Sequence, residues 1–349
     1  MVLYVTSWGD RDGKTSLCAG IGRWLQDSGK KVGYLKPLTL ADAGTDKDGQ
    51  FLKQALDLKE SPGVLSPLRL SDEALKAELA GGTLGVKVKQ SYSDVIEKKD
   101  VVLLEGLPNL ALNGYLADAS QQIVEALGAD VLIVVAYSPH LPWDRIASSG
   151  QRFARHPVGV VINRVPQNKM ELLRSEMDSR LDQGDVKILG MLPEDRLLSG
   201  IGVGELAERL QASILCCPEG ATGLVQNVMI GALTVDSGGD YFRRKDSKVV
   251  IVRGDRPDMQ LAALSTPTRC LVLSEGVSPM PQVLNWGEDK GVPLLLTKLD
   301  TLSVVAEVEQ AFVQAGFRHK EKVERMRQIL DRGFDFRSLF RGLGFSTLS

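Results

Sequence analysis

Short apolar, β-branched runs alternate with helical stretches over the first 212 of 349 residues. A run that is apolar at every position suits a strand covered on both faces, and strands separated by helices pair in parallel. The pattern therefore predicts a parallel sheet between two helical layers. The candidate strands are Leu3–Thr6, Lys31–Leu35, Val101–Glu105, Val131–Ala136, Gly159–Asn163 and Ile188–Leu192. Helical candidates lie between and after them, at Lys14–Ser28, Asp46–Leu56, Ser71–Ala80, Tyr92–Lys98, Ala117–Leu127, Asp144–Phe153, Lys169–Leu181 and Gly204–Leu210. From about residue 213 the texture changes to a second strand-and-helix series with its own glycine and proline punctuation: ILCCPEG, KVVIVRGDRPDMQLAALS, TRCLVLSEG and VPLLLTKLD. This divides the chain into 1–212, 213–330 and a tail, 331–349, that either packs on a neighbour or frays. The length suits two domains, each able to bury its own core.

Charge narrows the functional classes. With 42 Lys plus Arg against 44 Asp plus Glu the net charge is -2, which leaves no basic excess to neutralise a phosphate backbone. Nucleic acid and membrane surfaces are set aside as partners. The most apolar run, Val131 to Tyr137, is far shorter than the ~20 residues that span a bilayer. The opening MVLYVTSWGD lacks a basic leader, so a cytoplasmic location is expected. The four cysteines, Cys18, Cys216, Cys217 and Cys270, form no CxxC pair and read as buried thiols. His140, His156 and His319 stand apart from one another and offer little material for a metal site or a triad.

The sharpest chemical signal is YVTSWGDRDGKTSLCAGIGRWLQDSG. A strand runs into a glycine-bearing loop that ends in Gly13, Lys14, Thr15 and Ser16, and a helix with Leu17, Ile21 and Leu25 on one face follows. Such a loop turns successive backbone N–H groups toward one point at a helix N-terminus, where the macrodipole favours an anion. Gly9, Asp12, Gly13, Lys14, Thr15 and Ser16 are the candidate nucleotide-binding residues, Lys14 reaching the phosphates and Thr15 placing its hydroxyl on Mg²⁺. Trp8 holds the first glycine position of the GxxxxGK[ST] pattern, with Gly9 one place later. The alternative is an ordinary glycine turn, or a loop without affinity.

Lys36, in YLKP, closes the next strand, where the ligand crevice of a doubly wound sheet opens; it faces either an anion or solvent. Glu105 directly follows an apolar strand, the position from which a carboxylate reaches a metal or orients a water; the alternative is a strand-end carboxylate in solvent or paired with a lysine. Asp46 and Asp48, in GTDKDGQFL, are further carboxylates, Asp48 serving either a metal or the dipole of its own helix. Asn163 ends the strand VGVVINRV and offers a donor and an acceptor in one plane, suited to an adenine edge.

In this order, VTSWGDRDGKTS, YLKP, DKDGQFL, LLEG and VINRV resemble the dethiobiotin synthetase-like P-loop family over about residues 1 to 212. The segments LPEDRLLSGIGVGELAERL, NVMIGALTVDSGGDYF and GDRPDMQLAALSTPTRCLVLSEG extend the likeness. They are similar to the DRTGG module that follows such a domain in the N-terminal regulatory half of long bacterial phosphate acetyltransferases. The resemblance implies an α/β fold: a three-layer P-loop domain with a mainly parallel sheet, then a smaller α/β DRTGG-like domain. It implies ATP and Mg²⁺ as ligands, with Gly13 and Lys14 on phosphates, Thr15, Asp48 and Glu105 at Mg²⁺, Lys36 toward a second substrate and Asn163 at adenine. Leu107, Pro108, Asn109 and Leu110 stand where the synthetases carry a glycine-rich stretch, and Asp10, Arg11 and Asp12 make the loop more charged than theirs.

The chain as given stops at Ser349, soon after the DRTGG-like module, so on this likeness no acetyl transfer of its own is expected. The first functional expectation is an ATP-binding regulator or sensor acting on a partner enzyme of acetyl-CoA or acetyl-phosphate metabolism, at most a slow ATPase. The second is a dethiobiotin synthetase-like ligase using Lys14, Lys36 and Glu105 on a small amine or acid. A scaffold without nucleotide affinity is the third. In the second module, IVRGDRPDMQ reads either as a helix start capped by Asp255 with Pro257 in its first turn, or as an anion or partner contact through Arg256. SGGDYF reads as a loop. The apolar tail residues Phe334, Phe336, Leu339, Phe340, Leu343 and Phe345 point to a homo-oligomer, with packing on the chain's own core as the alternative.

Overall fold

The computed structural model describes residues 1–40, 47–110, 114–153, 156, 158–180, 186–232 and 235–342. They form two compact units: the chain through Glu194 together with the segment from Lys320, and Asp195–His319. The first unit contains β1 (Val2–Ser7), β2 (Val32–Leu35), β3 (Leu38–Leu40), β4 (Leu68–Leu70), β5 (Val101–Glu105), β6 (Asp130–Ala136), β7 (Val158–Val165) and β8 (Val186–Pro193). All six anticipated strands join one parallel sheet in the order β2-β5-β1-β6-β7-β8, while β3 and β4 pair separately.

Alternation along the strands explains the layers. Val2, Tyr4, Val102 and Leu104 join a core with Leu84 and Val88 of the helix Leu84–Ile96 and with Ile123 and Val124 of the helix Tyr115–Leu127. Leu103 points the other way, toward Gly22 of the helix Lys14–Asp27. The chain leaves β1 toward β2 on one side and β6 toward β7 on the other. This puts the crevice of the sheet at the carboxyl ends of β1 and its neighbours.

The C-terminal segment departs from expectation. The helix Lys320–Gly333 buries Val323, Met326, Ile329 and Leu330. A side chain at Gly20 would meet Met326 at 2.5 Å and Leu330 at 2.7 Å, so the bare glycine lets this helix close on Lys14–Asp27. Phe336 stacks on Trp24 with ring centroids 3.7 Å apart, and Phe334, Phe336, Leu339 and Phe340 are all buried. The expected tail therefore packs on its own unit, and the homo-oligomer loses the basis these four residues lent it. Leu343 and Phe345 lie outside the described residues. The first unit gives way to the second at Glu194 rather than near 212, and takes back residues from 320 that were expected with the second domain. An amphipathic helix announces a buried face without naming the core that receives it.

The second unit holds β9 (Ile201–Gly202), β10 (Ser213–Cys216), β11 (Leu224–Val225), β12 (Asn227–Ile230), β13 (Lys248–Arg253), β14 (Thr268–Ser274) and β15 (Leu294–Leu296). Five form a sheet in the order β10-β15-β14-β13-β12, parallel except for β10, and β9 pairs with β11. Helices pack on both faces over two apolar cores. SGGDYF is helical, not a loop: it falls in Val235–Phe242, and Phe242 is fully buried. Asp255 does not cap the next helix. Arg256 holds the N-cap position before Pro257, and Asp255 pairs with Arg253 at 2.8 Å. All four cysteines are free and buried.

Candidate functional site

The loop after β1 reverses at Gly13, whose φ of 111° and ψ of 27° place it in the left-handed region at the start of the helix Lys14–Asp27. A Cβ there would also sit 2.5 Å from Asn163 Nδ2, so the position admits only glycine. Internal bonds hold the loop in shape. The Asp12 carboxylate accepts the Gly9 N–H at 2.6 Å, Asn163 Nδ2 donates to the Asp12 carbonyl at 2.8 Å, and Ser16 Oγ donates to the Gly13 carbonyl at 2.7 Å. Asp12 is buried, so of the two loop aspartates only Asp10 is exposed. Burial pushes the Asp12 carboxyl up from its ordinary range, against the backbone N–H groups of Gly9 and Ala136 and the charges of Lys14 and Arg164.

Lys14 Nζ donates to Ser7 Oγ at 3.0 Å. Burial pulls its ammonium below the usual lysine range, while Glu105, Asp10 and Asp12 oppose that shift. An ammonium short of water gains when an anion arrives beside it.

Glu105, at the end of β5, is only 3% exposed. Thr15 Oγ1 donates to its Oε1 at 2.9 Å, Tyr34 OH donates to its Oε2 at 2.8 Å, and Lys36 Nζ lies 4.0 Å from Oε1. Both carboxylate oxygens are thus fixed. By donating its proton to Glu105, Thr15 keeps its oxygen lone pairs for a cation. The next residues are tied to β1: Leu107 N–H donates to Tyr4 OH at 3.1 Å, and Thr6 Oγ1 donates to the Leu107 carbonyl at 2.6 Å. A side chain at Gly106 would fall 2.3 Å from the Tyr4 ring. Burial pushes the Tyr4 hydroxyl up to about 12.

The fold therefore brings together Gly9, Asp12, Gly13, Lys14, Thr15, Ser16, Lys36, Glu105 and Asn163 at the carboxyl edge of the sheet. Asn163 was expected at an adenine edge. Its amide instead holds the loop, with Oδ1 accepting Arg164 N–H at 3.0 Å. Asp48 lies half-buried in the first turn of the helix Lys47–Ala55 and, among the described residues, makes no hydrogen bond to Thr15 or Glu105. Asp46 lies outside the described residues. Among the described residues no cluster of three or more His, Cys, Asp or Glu could hold a metal by itself. Mg²⁺ fits all the same, because it keeps waters and substrate phosphates and takes few protein oxygens, here Thr15 and Glu105. Sequence reasoning missed Tyr34, Tyr4 and Ser7. Tyr34 had a signal: it stands two residues before Lys36, hence on the same side of an extended strand.

A family model for the AAA domain matches residues 1–201, more than half of the chain. The chain belongs to this AAA-domain family. The matched span contains every residue of the site above, and a DRTGG domain model matches residues 205–311. The phosphate acetyltransferase of Nitrosomonas europaea is 24% identical over 345 residues, covering 93% of this chain and 49% of that protein. The Pseudomonas aeruginosa phosphate acetyltransferase is 23% identical, covering 95% and 50%. The chain thus spans about half the length of these curated relatives, corresponding to their N-terminal region. The ATP-dependent dethiobiotin synthetase of Methanococcus vannielii is 22% identical over 204 residues, 56% of this chain and 94% of that one.

Solved structures resemble parts of the chain, two of them as follows. The MinC:MinD cell division protein complex of Aquifex aeolicus matches with a TM-score of 0.37 and 20% identity, over 56% of this chain and 83% of that chain. The CBS and DRTGG domains of the regulatory region of Clostridium perfringens pyrophosphatase match with a TM-score of 0.30 and 16% identity, over 33% and 49%. Among the described residues no helix is long and apolar enough to cross a membrane. Within the DRTGG match the charges of GDRPD are compensated locally: Arg253 lies 3.3 Å from Glu275 as well as beside Asp255, and Arg256 pairs with Asp258 at 2.7 Å.

Proposed function

We propose that this chain binds ATP with Mg²⁺ at the loop Gly9–Ser16 and acts as a nucleotide-responsive regulator within acetyl-CoA or acetyl-phosphate metabolism. The observation that carries the reading is the Thr15–Glu105 hydrogen bond of 2.9 Å, set beside the buried ammonium of Lys14 at a helix N-terminus. In this reading the loop N–H groups and Lys14 take the phosphates, while Thr15 and Glu105 hold Mg²⁺, with Asp48 contributing from the neighbouring helix. The cation would screen phosphate charge. Asp12 and Asn163 keep the loop open, each working through the backbone. The likeness to phosphate acetyltransferases supports a partner enzyme of that chemistry.

A second reading, an ATP-dependent ligase acting on a small amine or acid, draws on Lys36 lying 4.0 Å from Glu105 and on the dethiobiotin synthetase relative, 94% of whose length is matched. Calorimetric titration of ATP with Mg²⁺ into wild type and Lys14→Ala, followed by assay of released phosphate, separates the two. Loss of the charged contact weakens binding roughly 10- to 150-fold. Binding lost in the variant without turnover supports the regulator, and turnover stimulated by a small acid or amine supports the ligase. Wild type that binds no nucleotide refutes both.

A further inference from the structure

Ser7 closes β1 and has no exposed surface. Its backbone is held by the sheet: Ser7 stands opposite Val134 of β6, and the next N–H, that of Trp8, donates to the Val134 carbonyl at 2.8 Å. Alternation along β1 sets Ser7 on the same face as Leu3, whose neighbour Leu103 points toward the helix Lys14–Asp27. The hydroxyl proton is committed, because Ser7 Oγ donates to the Gly9 carbonyl at 2.6 Å. The same oxygen can then only accept, and what it accepts is an N–H of Lys14 Nζ at 3.0 Å. Among the described residues this is the single hydrogen bond of the Lys14 ammonium, which leaves two N–H groups for a ligand. Gly9 is engaged on both sides, its carbonyl by Ser7 and its N–H by the Asp12 carboxylate at 2.6 Å.

We propose that Ser7 is a positioning residue for the phosphate lysine: its oxygen holds the Lys14 ammonium where the β- and γ-phosphates of a nucleotide arrive. The proposal rests on the nucleotide reading above and adds to it how Lys14 is aimed. A lysine side chain free in solvent loses rotamer freedom when it grips a phosphate. A hydrogen bond that stands before the ligand comes has already removed much of that freedom. The acceptor belongs to a strand paired on both sides, with β5 and β6, which fixes it more precisely than a loop residue would be. A neutral oxygen also suits the task. A carboxylate in its place would pair with the ammonium and repel the incoming anion, whereas a hydroxyl orients the charge without cancelling it.

The test is calorimetry of the full chain with ATP and with AMP in the presence of Mg²⁺, backed by ligand-observed NMR for the weaker pairs. Ser7→Ala weakens ATP about five- to thirtyfold, the factor that the freed rotamers of one lysine imply. It changes AMP, which lacks the β- and γ-phosphates, by less than about twofold. Added to Lys14→Ala, the same substitution weakens ATP by less than about a further twofold, since the ammonium through which it acts is gone. A role confined to bracing Gly9 gives the opposite pattern: equal losses for ATP and AMP, and a loss that persists in Lys14→Ala. Either part of that pattern, or Ser7→Ala that binds ATP within about twofold of wild type, overturns the proposal and leaves the nucleotide reading in place. Wild type that binds neither nucleotide overturns both, so the two failures are told apart by wild type alone.

Discussion

Replacing Tyr34 by Phe removes its hydrogen bond to Glu105 at the candidate site. The ring is fully buried and Phe retains its volume, so no cavity is created. What disappears is the hydroxyl that donates to Glu105 Oε2 at 2.8 Å, leaving an acceptor that is 3% exposed without that partner. A hydrogen bond to a charged group contributes about 1.5–3 kcal/mol, so the variant should lose about 2 kcal/mol. For a unit of this size that lowers Tm by about 4–8 °C. Three of the four tryptophans, Trp8, Trp24 and Trp143, lie in the first unit, so fluorescence-detected unfolding reports mainly on it. The variant should also lose about tenfold in affinity for ATP with Mg²⁺ and far less for ATP alone, because Glu105 is no longer aimed at Thr15. A loss below about 0.5 kcal/mol together with an unchanged Mg²⁺ dependence would refute the claim that Tyr34 fixes Glu105.

Two further outcomes follow from burial elsewhere in the first unit. Phe336→Ala removes a buried ring stacked on Trp24 and should cost about 3–5 kcal/mol with a changed Trp24 emission and no change in sedimentation; a cost under about 1 kcal/mol would contradict the docking of the C-terminal segment. Asp130, at the start of β6, has its carboxyl pushed by burial from 3.8 to about 6. The folded state then holds the proton more tightly than the unfolded one, so the cost of Asp130 is absent below about pH 4, grows through pH 4 to 6 and is complete above. Asp130→Asn should stabilise the protein at pH 8 by about 1 kcal/mol, a shift of about 2 pH units discounted for a half-exposed group, and not at pH 4. A gain independent of pH in chemical denaturation would exclude burial of the charge as the cause.

Much of the site was legible because its signals are local. The strands of the main sheet are apolar at consecutive positions, a pattern left by burial on both faces, and the Gly13-Lys14-Thr15 turn needs only its own neighbours to form. Glu105 was legible for the same reason, standing at the end of such a run. Its partners were not: Tyr34 is 71 residues away and Thr15 is 90, and no periodicity connects them. The link from Asn163 to Asp12 spans 151 residues, so an amide with a sound local case for an adenine edge is engaged with the loop instead. SGGDYF misled through its two glycines, which disfavour helix; the buried Phe242 outweighs that preference of about 1 kcal/mol per glycine.

The period and apolarity of each segment settle whether it becomes a strand or a helix and which side it must bury, since both depend on residues within a few positions of one another. Which surfaces meet is another matter. The amphipathic face of the helix Lys320–Gly333 would have suited several cores, and it rests on Lys14–Asp27 because Gly20 leaves room for Met326 and Leu330. Likewise LTL and LRL are ordinary fragments until parallel pairing sets Thr39 beside Arg69. Burial is recorded residue by residue along the chain, whereas complementarity of shape and charge exists only between surfaces that folding has already brought together.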